Sequence, residues 1–243
     1  MLRNGRHPAL PEPPAPFGHE ATGRVTAIGA GVGGFTVGDP VIVANSAPCG
    51  ECFFCRRDRP SLCESLVYLS GAFAERLRVP ARIVATNMLR RPDSLDPRLA
   101  AMIEPLACAV RAVERSDAGD GDTVLILGGG AQGQFLATCL ARRGCRVVVC
   151  DPHPERRAWA LRFGAERVAD APRDDAGLRS VRTGTPGGRG ADVVFEAVGR
   201  PETWQAAVAL ARPGGEVNLY GGCPAGSSVT FPTDPLHYGE LRL

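Results

Sequence analysis

The sequence predicts an α/β protein in two parts: a β-rich domain over residues 1–105 and a doubly wound parallel sheet over 106–243. Three observations carry this reading. In the first part the apolar runs are short and separated by Gly- and Pro-containing turns, the pattern of strands joined by tight connections. A lobe at 45–66 is studded with four cysteines and shows little periodicity. After Gly119, short apolar runs alternate with helical stretches, as in a parallel sheet with helices on both faces.

Taken in order, residues 1–17 are Pro-rich and read as extended or irregular. Strands are expected at Arg24–Ile28 and, after the turn Gly38-Asp39-Pro40, at Val41–Val43. The cysteine lobe reads as loop. Ala72–Val79 and Ile83-Val84 read as further short strands. A helix is expected from Asp96 to Arg115, with Asp96 as its cap, Pro97 at its first position and Pro105 interrupting it. In the second part, strands are expected at Thr123–Leu127, Arg146–Cys150, Glu166–Val168, Asp192–Glu196 and Glu216–Tyr220. Helices are expected at Gln132–Arg143, Pro154–Phe163 and Pro201–Ala211. Residues 171–190 read as a polar stretch without an element.

Composition excludes several classes of function. The charges nearly cancel, with 28 basic and 26 acidic residues, so neither nucleic acid nor an acidic membrane is an expected partner. The start lacks the apolar stretch of a signal peptide, and no apolar run is long enough to span a bilayer. The expected compartment is therefore the cytoplasm, where thiols stay reduced and clustered cysteines point to metal before disulfide.

Cys49, Cys52, Cys55 and Cys63 are separated by two, two and seven residues. Four thiolates on a flexible loop containing Gly50 can close a tetrahedron around one zinc, leaving no position for water or substrate. Two disulfides, or free thiols in a core, are the alternatives. The first conflicts with a reducing compartment, and the second with the neighbours Glu51, Arg56, Arg57, Asp58 and Arg59. The remaining cysteines lie in apolar runs or helices and read as packing residues.

Gly128, Gly130 and Gly133 fit the dinucleotide fingerprint G-x-G-x-x-G between an expected strand and an expected helix. The first glycine permits the tight turn, the second lets a pyrophosphate approach the backbone, and the third lets helix and strand pack closely. Asp151 ends the next strand, 18 residues beyond Gly133. An acid there accepts from ribose hydroxyls and repels a 2′-phosphate, which favours NAD over NADP. Arg156 and Arg157 are the residue type that would hold such a phosphate, so NADP stays as the second reading. Gln132 is unusually polar for the first turn of such a helix.

Two further segments carry metal-binding residue types. His19-Glu20 precedes the first strand; the pair can ligate zinc, or it can be a solvated pair at a strand edge. Glu104 lies in the apolar run Ala101-Met102-Ile103-Glu104-Pro105-Leu106-Ala107. Buried there it would need a partner; alternatively it shares a solvent face with Cys108, Arg111 and Arg115.

These segments, in this order, resemble the zinc-dependent medium-chain dehydrogenases of the alcohol dehydrogenase family, from about Phe17 to the end. Gly18-His19-Glu20, followed by Gly23 and Gly29, resembles that family's catalytic-zinc segment, and the cysteine loop its structural-zinc lobe. Glu104-Pro105-Leu106-Ala107 resembles the segment that supplies a second acidic ligand in the polyol and threonine dehydrogenase branch. Ala191–Gly199 resembles the strand and turn beside the nicotinamide, which places Val198 at the cofactor. Leu236-His237-Tyr238 also resembles that branch. The resemblance implies a GroES-like domain followed by a Rossmann NAD-binding domain, assembled as a homodimer or homotetramer. It implies hydride transfer between NAD and a small-molecule secondary alcohol: a polyol, sugar or amino alcohol. His19, Glu20 and Glu104 would ligate the catalytic zinc.

The family also carries a zinc-binding cysteine upstream of the His-Glu pair, whereas no cysteine precedes Cys49, and the chain stops at Leu243, within the expected last strand. The expectation is thus a form truncated at both ends and lacking one catalytic ligand. Its rival is a non-catalytic NAD-binding module stabilised by zinc. A zinc-free quinone reductase fits poorly, because it would not need the four-cysteine loop.

Overall fold

A computed structural model describes residues 16–243; most of the Pro-rich start lies outside the described residues. The chain forms two compact units, Met1–Pro105 and Leu106–Leu243.

In the first unit β1 (Ala21–Arg24) pairs antiparallel with β2 (Pro40–Val43). The sequence places β1 later, at Arg24–Ile28. The turn before β2 folds back onto Val25, whose N–H reaches Asp39 O at 3.0 Å while its carbonyl accepts from Gly38 N at 2.8 Å. Pairing therefore ends there, and Thr26–Ile28 are exposed. β3 (Ser46–Ala47) and β4 (Val67–Tyr68) form a two-residue ribbon spanning the cysteine lobe. Residues 72–79, expected as a strand, join no sheet among the described residues. Among the described residues, Ala72 and Phe73 donate backbone bonds to Gly18 O and Phe17 O, and residues 73–76 are all exposed.

Ile83-Val84, also expected as a strand, lies instead in α1 (Ala81–Asn87). Pro80 immediately precedes this helix. Two adjacent β-branched residues would point to opposite faces of a strand; in the helix Ile83 is fully buried in the unit's core while Val84 is half-buried. β5 (Met88–Arg90) follows and completes the three-stranded sheet β1-β2-β5. Among the described residues, the unit's buried core is Val41, Val43, Ala47, Leu69 and Ile83, with Val25, Phe35, Leu77 and Val79 among the half-buried residues packed on it.

The expected helix from Asp96 splits into α2 (Pro97–Ala100) and α3 (Ile103–Glu114). Asp96 caps α2 by accepting from Arg98 N at 2.7 Å. The break at Ala101-Met102 follows from Pro105, which has no N–H to offer the carbonyl four residues back and whose ring crowds it.

In the second unit β6 (Thr123–Leu127), β7 (Arg146–Cys150), β8 (Arg167–Ala169), β9 (Ala191–Glu196) and β10 (Ala211–Asn218) form a wholly parallel sheet in the order β10-β9-β6-β7-β8. Between them run α4 (Ala131–Arg142), α5 (Pro154–Arg162), α6 (Asp175–Thr183) and α7 (Pro201–Leu210), and α8 (Thr233–His237) follows β10. Alternate residues of the strands bury opposite ways. Val124, Ile126, Val147, Val149 and Phe195 pack with α4 and α5, while Leu125, Leu127, Val194 and Val217 pack with α6 and α7. This is the doubly wound α/β arrangement that the sequence predicts, and burial on both faces explains the continuous apolar runs.

Two details differ. α6 lies within the stretch read as element-free, capped by Asp174, which accepts from Gly177 N at 2.8 Å. The strand expected at Glu216–Tyr220 ends at Asn218 and begins at Ala211, with a register slip before Glu216. Among the described residues no helix is long and apolar enough to cross a membrane.

Candidate metal and dinucleotide sites

The four-cysteine lobe gathers its sulfurs within 4.8 Å of one another. Gly50 turns the chain at φ 83°, and two single 3-10 turns, Cys55–Arg57 and Pro60–Leu62, set the positions of Cys55 and Cys63. The Sγ atoms of Cys49 and Cys55 stand 3.9 Å apart. Four sulfurs at about 2.3 Å from one zinc would be about 3.8 Å apart, so the spacing fits the ion. Backbone amides aim at the sulfurs, Cys49 N at Cys63 Sγ (3.2 Å) and Cys52 N at Cys49 Sγ (3.4 Å). The N–H groups of Glu51 and Cys52 bring the Cys49 thiol down to about 6. Burial, then the neighbouring sulfurs, push Cys55 up to about 12. One sulfur is thus stabilised as thiolate while another is held as thiol; a dication would relieve that conflict. Cys49, Cys52, Cys55 and Cys63 are free thiols. Of the five outside the lobe, Cys145 and Cys150 are buried as packing residues, whereas Cys108 is exposed.

A second group in the same unit consists of His19, Glu20 and Glu104, whose donor atoms also lie within 4.8 Å of one another. The segment before His19 is fixed by the bonds of residues 71–73 to Phe17 O and Gly18 O (2.9–3.1 Å) and by the Phe17–Phe73 ring contact at 5.3 Å. Glu104 is delivered by the first turn of α3, just after the break, and accepts from Asn45 Nδ2 at 2.8 Å. His19 and Glu104 are half-buried and Glu20 is exposed. An imidazole and two carboxylates, 85 residues apart at the extremes, are a donor set suited to a divalent ion. Asn45 was not singled out by the sequence.

In the second unit, strand order reverses between β6 and β9, which places a crevice at their C-terminal ends, where open α/β sheets bind ligands. The glycine loop follows β6. Gly128 has φ 101°, and a Cβ there would lie 2.9 Å from Val198 Cγ2. A Cβ on Gly133 would stand 1.9 Å from Gly128 O, whereas one on Gly130 would meet nothing within 4 Å. The first and third glycines are therefore required by the fold, and the second faces open space, as a pyrophosphate cradle requires.

The loop is tied on both sides. Gly129 N donates to Asp151 Oδ2 at 2.8 Å, and Gln134 Nε2 reaches Gly129 O and Arg156 O at 2.9 and 3.0 Å. Asp151 is 2% exposed. It also accepts from His153 N at 2.8 Å and faces Arg156 Nη1 at 3.5 Å, so it organises the loop as well as offering charge. Gln132 accepts from Tyr220 Oη at 2.6 Å, which accounts for a polar residue at that turn. Across the crevice, the turn after β9 hangs on Glu196. This fully buried carboxylate accepts from Val198 N (2.9 Å), Gly199 N (3.0 Å) and Thr203 Oγ1 (2.8 Å). Burial raises its pKa, and those donors offset the rise only in part. Sequence reasoning passed over Glu196 as a site residue, although an acid ending an apolar strand was the available signal. At the same edge a cavity of about 760 Å³ is lined by residues including Pro152, Leu178, Val198, Arg200, Thr203 and Ala206.

Comparison with known proteins agrees with this layout. Residues 1–88 match the alcohol dehydrogenase GroES-like domain, and residues 132–243 the zinc-binding dehydrogenase family. The chain is 37% identical over 190 residues to the 2-dehydro-3-deoxy-L-galactonate 5-dehydrogenase of Pseudoalteromonas atlantica, covering 76% of this chain and 54% of that one. It is 35% identical over 225 residues to the L-threonine 3-dehydrogenase of Pyrococcus abyssi, covering 90% and 63%. The chain thus spans between half and two thirds of the length of these relatives. Among solved structures, a protein of Sinorhizobium meliloti 1021 described as a zinc-binding dehydrogenase, bound to NADP, superposes with a TM-score of 0.84 at 30% identity, covering 94% of this chain and 68% of that one. With its GroES-like and Rossmann-type parts both matched, the chain belongs to the zinc-dependent medium-chain dehydrogenase family.

Proposed function

We propose that the chain carries the metal and cofactor sites of an oxidoreductase that moves a hydride between NAD and a secondary alcohol, the alcohol being a polyol, sugar or amino alcohol. The observation that carries this reading is the convergence of His19, Glu20 and Glu104. These side chains would hold a catalytic zinc, and Cys49, Cys52, Cys55 and Cys63 a structural one. Bound zinc would supply Lewis acidity toward an alcohol oxygen, and the nicotinamide would supply the hydride acceptor. The chain's own residues bind and orient. Gly128, Gly130 and Gly133 open the backbone to the pyrophosphate. Asp151, Arg156 and Val198 flank the ribose and base, with the apolar cavity beside Pro152 as the place for adenine. The carboxylate of Asp151 favours NAD, and the NADP bound to the Sinorhizobium protein makes NADPH the necessary control. The relatives named above, dehydrogenases of a sugar acid and of threonine, support the substrate class.

The test is zinc content and NADH binding of the full chain and of His19→Ala. The expected result is two zinc ions per chain, falling to one in the variant, with NADH bound more tightly than NADPH and equally by both proteins. One zinc in the unaltered chain with NADH still bound would instead favour a non-catalytic module. Loss of NADH binding in His19→Ala would refute the separation of roles.

A further inference from the structure

The connection from β2 to β3 is held more firmly than a short loop requires. Ala44 N donates to Asn87 O at 3.0 Å, Leu69 N to Asn45 O at 2.7 Å, and Asn87 Nδ2 to Ser46 O at 2.7 Å. Ser46 and Ala47 then pair with Tyr68 and Val67. Each residue from 44 to 47 is therefore fixed by a neighbour in α1, in β4 or next to β4. From this anchored peptide the Asn45 side chain extends to Glu104, 59 residues later in sequence, and donates Nδ2 to Oε1 at 2.8 Å.

A hydrogen bond from an anchored donor narrows the χ angles open to a carboxylate on the first turn of a helix. A neutral amide is a suitable holder, because it donates one hydrogen bond without adding a cation that would repel a metal. We infer that Asn45 is a positioning residue of the His19–Glu20–Glu104 cluster: its amide orients the Glu104 carboxylate toward a metal site. Groups that hydrogen-bond a ligating carboxylate orient it, and their loss typically costs about 10–100-fold in metal affinity. The inference rests on the metal reading of that cluster given above.

The experiment is a Zn²⁺ titration of the full chain whose cysteine lobe has first been loaded, comparing the unaltered protein with Asn45→Ala and Asn45→Leu. Leucine keeps the approximate shape and removes the donor, so it carries the comparison if the alanine variant folds poorly. The expected result is second-ion binding weakened about 10–100-fold, with the melting temperature and the cysteine-lobe affinity unchanged. With Co²⁺ as probe, the visible d–d bands of the second site should shift, while the thiolate charge-transfer bands of the lobe stay in place. If the unaltered chain binds a second ion and both variants bind it equally well, Asn45 has no positioning role and the metal reading stands. If the unaltered chain takes up no second ion, the metal reading fails and the inference with it.

Discussion

The two units are stabilised by different means. In the second, β6 is buried at every position and β7 at all but its first, and helices cover both faces of the sheet. In the first, among the described residues, the strands are two to four residues long and the fully buried core is five side chains. Beside that core, four sulfurs gather in the cysteine lobe. The lesson is that one unit owes its order to apolar area removed from water, while the other, on the zinc reading proposed above, would draw part of its order from a bound metal.

The largest expected effect tests that contrast directly. Stripping zinc with a chelator should abolish the first unit's unfolding transition, because structural zinc contributes on the order of 10 kcal/mol in small domains. The second unit's transition and NADH binding should survive, as calorimetry and fluorescence would show. Simultaneous loss of both transitions would break the comparison.

A pair of substitutions then sharpens it within the second unit. Gly133→Ala pushes a methyl against Gly128 O and should destabilise by about 1–3 kcal/mol or more. Gly130→Ala, at φ −70° with open space ahead, should melt normally yet bind NADH at least tenfold more weakly. Equal melting temperatures for the two variants would contradict the division between glycines needed by the fold and the glycine needed by the ligand.

The smallest effect concerns Glu196. Burial raises its folded pKa above the unfolded value. Its contribution to stability is therefore full at low pH and declines as pH rises through the folded pKa. Glu196→Gln loses hydrogen-bond quality at a cost of about 1 kcal/mol but does not titrate. Its deficit in melting temperature should narrow as pH rises from about 4 toward neutrality; a deficit that widens would overturn the desolvation argument.

How far the sequence could be read follows the same division. β6, β7, β9 and α4 were legible because complete burial writes continuous apolar runs, and because the glycine loop marks a strand-to-helix turn locally. α6 was not, since its inward side is little more than Leu178 and Val181. β5 was missed because Leu89 is 58% exposed and three residues carry no usable alternation. Ile83-Val84 misled because β-branched residues resemble a strand until Asn87 is seen bonding back to residues 44–46. The cysteine lobe was readable from spacing alone. By residue type, His19 and Glu104 each kept two readings, and only the resemblance joined them, because the contact between their segments is set by tertiary structure. Asn45 left no mark at all: an asparagine after a strand is ordinary, and its partner lies 59 residues away.

The position of β6 at the centre of the sheet also sets an order of assembly. β6, β7 and β8 lie within residues 123–169 and can pair through short crossovers. The crevice, in contrast, needs β9, which begins at Ala191. Contacts of such long sequence separation form late, after the entropy of closing the intervening chain has been met. A chain still being synthesised can therefore have three of the sheet's five strands and its glycine loop, and no crevice for a dinucleotide until Glu196 and the turn it holds have been added.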